Sequence, residues 1–307
     1  HKGESHGGAY LLDLQTDEVT RLLDWNDAAI DWEGRGGDRG LRGIAFHGGR
    51  VFLAASDEIF IYDRNFQLQG SLRNPYLKHC HEIFVAGDRL FATSTGFDSV
   101  LECDLLSLSF VRGYCVRFRG LWRFRQLRWG LHLRPRPRFW TYDPNGHGGP
   151  TPWDSSHINN VFVRDGTVFV SGTGLGHLWA IGSGGLSKYA RIPYLTHNAR
   201  PFRDGVLLNQ TGNDQVAFLT RTGQTIKSFP VKHYDESQLE NAHLPRDFAR
   251  QGFTRGLAVL SDTVFAAGSS PATVTVYDFE TAQPVKSVTV TMDVRNSVHG
   301  LEVWPFD

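Results

Sequence analysis

The sequence predicts an all-β fold, a six-bladed β-propeller whose last blade is closed by strands from both ends of the chain. Three observations predict it: a two-strand pattern that recurs along the chain, a recurring interval of 39 residues, and the near absence of helical periodicity. Four short strands per repeat, set around a ring, are the signature of propeller blades.

The repeat reads RGIAFHGGRVFLAAS from Arg42, HEIFVAGDRLFATST from His81 and NNVFVRDGTVFVSGT from Asn159. It continues as HNARPFRDGVLLNQT from His197 and RGLAVLSDTVFAAGS from Arg255, with a partial copy, HGLEVWPF, from His299. Arg42 to His81 and Asn159 to Asn198 each span 39 residues. Two more strands follow within each unit, EIFIYD and LQGSL in the first, TVTVYD and VKSVTV in the fifth. They are β-branched and aromatic runs bounded by Gly, Asp and Asn turns. His299–Phe306 is expected as the inner strand of the sixth blade, with AYLLDL and VTRLLDW as its third and fourth strands. Its second strand is expected to precede His1, or else this blade has three strands.

Two insertions interrupt the repeat, at about 113–153 and 232–251 of a single domain spanning 1–307. Both fall between an outermost strand and the next inner strand, so both are expected over one mouth of the central channel. The first holds nine of the 26 arginines, between Arg112 and Arg138, with Trp122, Trp129 and Trp140 interleaved. That composition suits an anionic partner, a peripheral membrane contact or a protein contact. Lysine plus arginine equals aspartate plus glutamate at 32 each, so no global field favours nucleic acid, and none is expected as a partner. No apolar run reaches the length of a membrane-crossing helix. Cys80, Cys103 and Cys115 make neither a disulfide framework nor a zinc ribbon.

The residue opening each inner strand points toward the axis. In blade order these are Arg42, His81, Asn159, His197 or Asn198, Arg255 and His299; His79 and His157 lie two residues before two of them. Imidazoles from separate strands are natural ligands for a divalent transition metal: zinc, iron, copper or manganese. His81, His157, His197 and His299 are the candidate ligands. Arg42, Arg200 and Arg255 would clamp an anion, with Asn159 and Asn198 beside them. His79 or Tyr142 would move a proton, and Asp154 is the nearest acidic partner to orient a histidine. Solvated polar residues lining a water-filled channel would give the same pattern.

At these positions SHINN from Ser156, THNARPF from Thr196 and GFTRGLA from Gly252 resemble a bacterial family of propeller proteins, the DUF4915-like group. Its G-F-T-R-G-L segment is matched through Gly252, Phe253, Thr254, Arg255, Gly256 and Leu257. Its H-x-N segment is matched by His157 and Asn159. His197 and Arg200 match its P-H-S-P-R segment, from which Thr196, Asn198 and Ala199 depart. The resemblance spans roughly Cys80 to the C-terminus and implies the fold and the site rather than a reaction. More loosely, a propeller with axial histidines resembles metal-dependent lyases and the carotenoid oxygenases. The leading expectation is a metal-dependent enzyme acting on an anionic small molecule or modified peptide, by lyase-type or oxidative chemistry. The alternatives are a non-haem iron or copper oxygenase, and a non-catalytic module that binds through the Arg/Trp-rich insertion.

Overall fold

The computed structural model describes residues 7–25, 40–118, 136–246 and 249–306. It is a β-propeller with five complete blades, built in chain order. The first comprises β3 (Ile44–His47), β4 (Arg50–Ala55), β5 (Glu58–Tyr62) and β6 (Leu68–Arg73). The second comprises β7 (Ile83–Ala86), β8 (Arg89–Ser94), β9 (Ser99–Asp104), β10 (Ser109–Arg117) and a fifth strand, β11 (Arg138–Tyr142). The third runs β12 (Ile158–Arg164), β13 (Thr167–Gly172), β14 (His177–Gly182), β15 (Gly185–Arg191). The fourth is β16 (Thr196–Phe202), β17 (Gly205–Gln210), β18 (Gln215–Leu219), β19 (Thr225–Phe229). The fifth is β20 (Arg255–Val259), β21 (Val264–Ser269), β22 (Thr273–Asp278), β23 (Gln283–Thr289). Every neighbouring pair within a blade is antiparallel.

The expectation of six blades is corrected to five. The sixth place in the ring holds a two-stranded hairpin, β1 (Gly8–Leu12) with β2 (Val19–Asp24), and the C-terminal segment His299–Phe306, which is assigned to no strand. A sheet needs a strand between these two, because an inner strand hydrogen-bonds only to its immediate neighbour. None lies there among the described residues. The two chain ends still meet: β1, β2 and the C-terminal segment are cemented by apolar contacts rather than by a shared sheet.

Those contacts complete the ring. Apolar clusters fill the gaps between first and second, second and third, third and fourth, and fourth and fifth blades. Ala9, Leu22, Trp304 and Phe306 pack on Val51, Leu53 and Phe66 of the first blade. Leu12, Leu14, Val298 and Leu301 pack on Ala266, Val274 and Val276 of the fifth. The two chain ends therefore fill the gap between the first and fifth blades, with fewer strands than a full blade. Each blade buries both faces, which is why β4, β8, β17 and β21 read as near-continuous apolar runs.

The first insertion adds to a blade edge. Gly113–Arg117 belong to β10, and Arg138–Tyr142 pair with them as β11, with Tyr142 opposite Gly113. A Cβ at Gly113 would stand 2.2 Å from the Tyr142 ring, so glycine makes that close approach feasible. Residues 119–135, with Trp122 and Trp129, lie outside the described residues. Beyond β11 the chain returns beside the 95–98 turn, where Trp153 N–H donates to the Gly96 carbonyl at 2.9 Å. The second insertion leans on the fifth blade through the Tyr234 hydroxyl, 2.5 Å from Thr289 and 3.0 Å from Thr273. Among the described residues no helix is long and apolar enough to cross a membrane.

Candidate functional site

Inner strands deliver the candidate residues to the axis. Three carry a β-bulge there: register slips between Ile158 and Asn160, between His197 and Arg200, and between Arg255 and Leu257. A bulge adds a residue to one strand and re-aims its side chains. In the fourth blade Asn198 adopts φ 47°, and the choice between His197 and Asn198 disappears because both side chains reach the channel.

His81, His157, His197 and His299 come together with Arg42 and Arg255. The His81 and His157 rings meet edge to face with centroids 5.3 Å apart. His81, His197 and His299 all lie within electrostatic reach of both Arg42 and Arg255. Withdrawal from water, then those guanidinium charges and, for His81 and His197, neighbouring imidazoles, hold these three well below the usual imidazole range, so they are neutral at pH 7.

Each of the four rings has its Nδ1 against an oxygen. His81 Nδ1 lies 2.8 Å from the His79 carbonyl and 2.9 Å from the Thr95 hydroxyl. His157 Nδ1 lies 2.8 Å from the Asp154 carboxylate, His197 Nδ1 2.9 Å from Thr211 Oγ1, and His299 Nδ1 3.1 Å from the Ser297 carbonyl. Thr95 and Thr211 donate their own hydrogens to the carbonyls of Ile158 and Thr254 in the next blade, at 2.5 and 2.7 Å. They therefore accept from the imidazoles, and Nδ1 carries the hydrogen. Nε2 is left to face the channel chemistry. At His299 it accepts from Arg255 Nη1 at 2.6 Å. His197 Nε2 is buried with no hydrogen-bond partner among the described residues.

Beneath the imidazoles lies a carboxylate that the repeat did not single out. Glu82 is buried and accepts from Asn198 Nδ2 at 2.5 Å, across the channel from the second blade to the fourth. Asn198 Oδ1 accepts in turn from the Gly256 N–H at 2.9 Å and from Asn209 Nδ2 at 3.1 Å. Three blades are thus tied by one polar floor. Burial pushes the Glu82 carboxyl up to about 7 against the opposing charge of Arg200, with Glu302 adding to the rise. Arg200 is buried in this lower layer, its guanidinium 5.5 Å from the Phe162 ring.

Other expected residues stand elsewhere. Tyr142 is buried in the apolar cluster between the first two blades, 5.1 Å from Tyr76, and cannot serve the channel. Its strand builds the blade edge instead of crossing the mouth. Asn159 uses Nδ2 to brace the Thr196 carbonyl of the next blade at 3.2 Å. His79 contributes its carbonyl, at a residue with φ 54°. Among the described residues no three His, Cys, Asp or Glu side chains are close enough, as placed, to hold a metal ion.

Thr95 and Thr211 were missed, and a signal for them exists. Both open a Thr-Gly-x-Asp turn, Thr95–Asp98 and Thr211–Asp214. Asp98 accepts from the backbone N–H of Ser155 and Ser156 at 3.0 and 2.8 Å, and Asp214 pairs with Arg250. In both blades the turn holds an imidazole with its first residue and fastens the next incoming segment with its last.

No family model and no curated protein matches this chain. Solved propellers do. U3-55K aligns over 83% of this chain and 66% of its own length, with TM-score 0.50 and 9% identity. The WD40 β-propeller domain of Doa1 aligns over 81% and 68%, with TM-score 0.46 and 14% identity. A streptogramin B lyase aligns over 78% and 69%, with TM-score 0.46 and 12% identity. This chain thus spans about two thirds of each of those chains. At such identities the likeness shows the β-propeller architecture alone.

Proposed function

We propose that this propeller, akin to the DUF4915-like group in its site segments, is a metal-dependent enzyme acting on an anionic small molecule or modified peptide. His81, His157 and His197 would hold a divalent transition metal, and Arg42 with Arg255 would receive the anion. His299 is reassigned from ligand to the group that aims Arg255, since its Nε2 is engaged by that guanidinium.

The observation that carries this reading is the anchoring of every imidazole through Nδ1. Metal-ligating histidines almost always donate their second ring hydrogen to a carbonyl, carboxylate or similar acceptor. Two imidazoles on one tetrahedral metal at 2.0–2.1 Å would place their centroids roughly 5 Å apart. The 5.3 Å between His81 and His157 suits that arrangement. His157 has 37% side-chain exposure, and its anchor, Asp154, is itself 41% exposed, so this pair would shift together to close the triad. A metal so held would polarise a substrate oxygen or acidify a bound water. Zinc or manganese suffices for elimination or hydrolysis, whereas oxidative chemistry needs iron or copper.

The test is metal content and titration of untagged protein. One equivalent of Zn2+, Fe2+, Cu2+ or Mn2+ should bind per chain, and the His81→Ala/His197→Ala double variant should lose it. Failure of all four ions to bind, or binding that survives the double variant, overturns the reading.

A further inference from the structure

The sixth place in the ring encloses a cavity of about 1090 Å3. On one side lies β1; on the other lies the C-terminal segment from Ser297 to Trp304. Its walls are faces of the first and fifth blades, among them Ile44, Leu53, Phe66, Ala258, Ala266 and Val274. The contents of this place can be assigned strand by strand. The turn between third and fourth strands has a fixed device in other blades: an Asp accepting backbone N–H groups, then a residue at positive φ. Asp104 accepts from Leu106 and Ser107 at 2.9 Å before Leu108 at φ 53°. Asp278 accepts from Thr281 at 2.7 Å before Ala282 at φ 56°. Between β1 and β2, Asp13 accepts from Gln15 at 2.6 Å and Thr16 at 3.1 Å before Asp17 at φ 66°. So β1 and β2 are a third and a fourth strand. The C-terminal segment holds the inner position between the first and fifth blades. Among the described residues no second strand stands between them, and the cavity lies where one belongs; in blade order that strand precedes the third, β1.

We propose that this cavity is the berth of one β-strand, supplied in cis from the N-terminal side of β1 and alternating apolar residues toward the two walls. The β1 edge turned away from β2 pairs with no described strand, leaving its backbone groups for an antiparallel partner. Apolar residues on both walls match the two-sided burial of second strands elsewhere in the ring. An open edge over an apolar cavity is a template for strand addition. The cavity borders the channel site, with Arg42 and His299 in its lining, but the strand assignment does not require a metal.

The experiment fuses a copy of Thr167–Gly172, TVFVSG, ahead of His1, beside a control with proline at both valine positions of the copy. The fusion should raise Tm by several degrees, lower the fluorescence of a dye that reports exposed apolar surface, and protect the Gly8–Leu12 amides from exchange. The proline control should do none of these, because proline donates no ladder hydrogen bond. The free TVFVSG peptide, added to the parent protein, is the second arm. Silence of both the fusion and the peptide overturns the proposal. So does an effect that the proline control shares. A stable parent dimer whose β1 amides are already protected would place a second copy in the berth and also overturn it.

Discussion

Thr211 does two things with one hydroxyl: it accepts the His197 Nδ1 hydrogen and donates to the Thr254 carbonyl. Replacing it by valine leaves a buried imidazole N–H without an acceptor, at a cost of about 1–3 kcal/mol. It also frees the ring to change tautomer. The expected result for Thr211→Val is a Tm lower by several degrees and metal affinity about 10–100-fold weaker. Thr211→Ser should restore both, and equal affinity for Thr211→Val and the parent in a zinc titration would refute the role. Glu82 presents a different residue-scale question. Its carboxyl rises from an ordinary acid range to about 7, so the folded state favours the protonated form. Its destabilising effect is absent at acid pH and grows as pH rises from the unfolded value through 7. Glu82→Gln keeps an oxygen for Asn198 and removes the charge. It should stabilise the chelator-treated protein by roughly 1–3 kcal/mol at pH 8 and by little at pH 4.5. Denaturant melts at the two pH values decide it.

The element that positions His157 is the segment 153–157, and the second blade holds it through Asp98. That side chain is fully buried and accepts from Ser155 N–H, Ser155 Oγ and Ser156 N–H, with Arg117 Nε 3.4 Å away. Asp98→Ala would orphan the buried Ser156 N–H and remove the carboxylate beside Arg117, whose Nη2 keeps the Phe97 and Thr151 carbonyls. A loss of about 1–3 kcal/mol is expected from the stranded backbone donor. Proteolysis should then nick the chain near Trp153 before the blades unfold; cleavage at the parent rate would count against this brace. Much of this scale was legible in the sequence. Inner-strand openings were recognisable because a two-residue period and a 39-residue interval leave little freedom over which residues face the axis. Glu82 was hidden because alternation from His81 turns it away, yet β7 begins only at Ile83, so the rule does not reach it. The choice between His197 and Asn198 stayed open because a bulge separates them from the regular register, which apolar patterning does not reveal. Tyr142 was misread because an Arg/Trp-rich insertion looks like a lid, while Gly113, the seat of its ring, looks like any turn glycine.

Across the whole molecule, three neutral imidazoles at one hub link stability to pH. His81, His197 and His299 resist protonation in the folded protein, chiefly because they are withdrawn from water. Unfolded, each takes a proton below its ordinary value near 6.5. Below that pH the unfolded chain therefore binds up to three more protons than the folded one, and stability must fall as pH falls. Glu82 opposes this between its unfolded value and about 7, where the folded chain holds one proton more. Near pH 5.5 the three imidazoles outweigh the single carboxyl, so the unfolded chain binds more protons and stability falls with acidification. With chelator present, the free energy of unfolding should hold nearly level from pH 8 to 7 and drop steeply from 6.5 to 5. Replacing His81 and His299 by asparagine should flatten the acid limb; an unchanged limb would mean that the hub does not carry it. Because His81 and His197, two of the three proposed ligands, are already deprotonated at neutral pH, metal binding need not displace protons from them. Zinc affinity should accordingly vary little between pH 7 and 8, with calorimetric proton release well below one per ion from these two rings. Release of two or three protons at pH 7 would show imidazolium in the resting site, and the neutral hub would be refuted along with the acid-limb argument built on it.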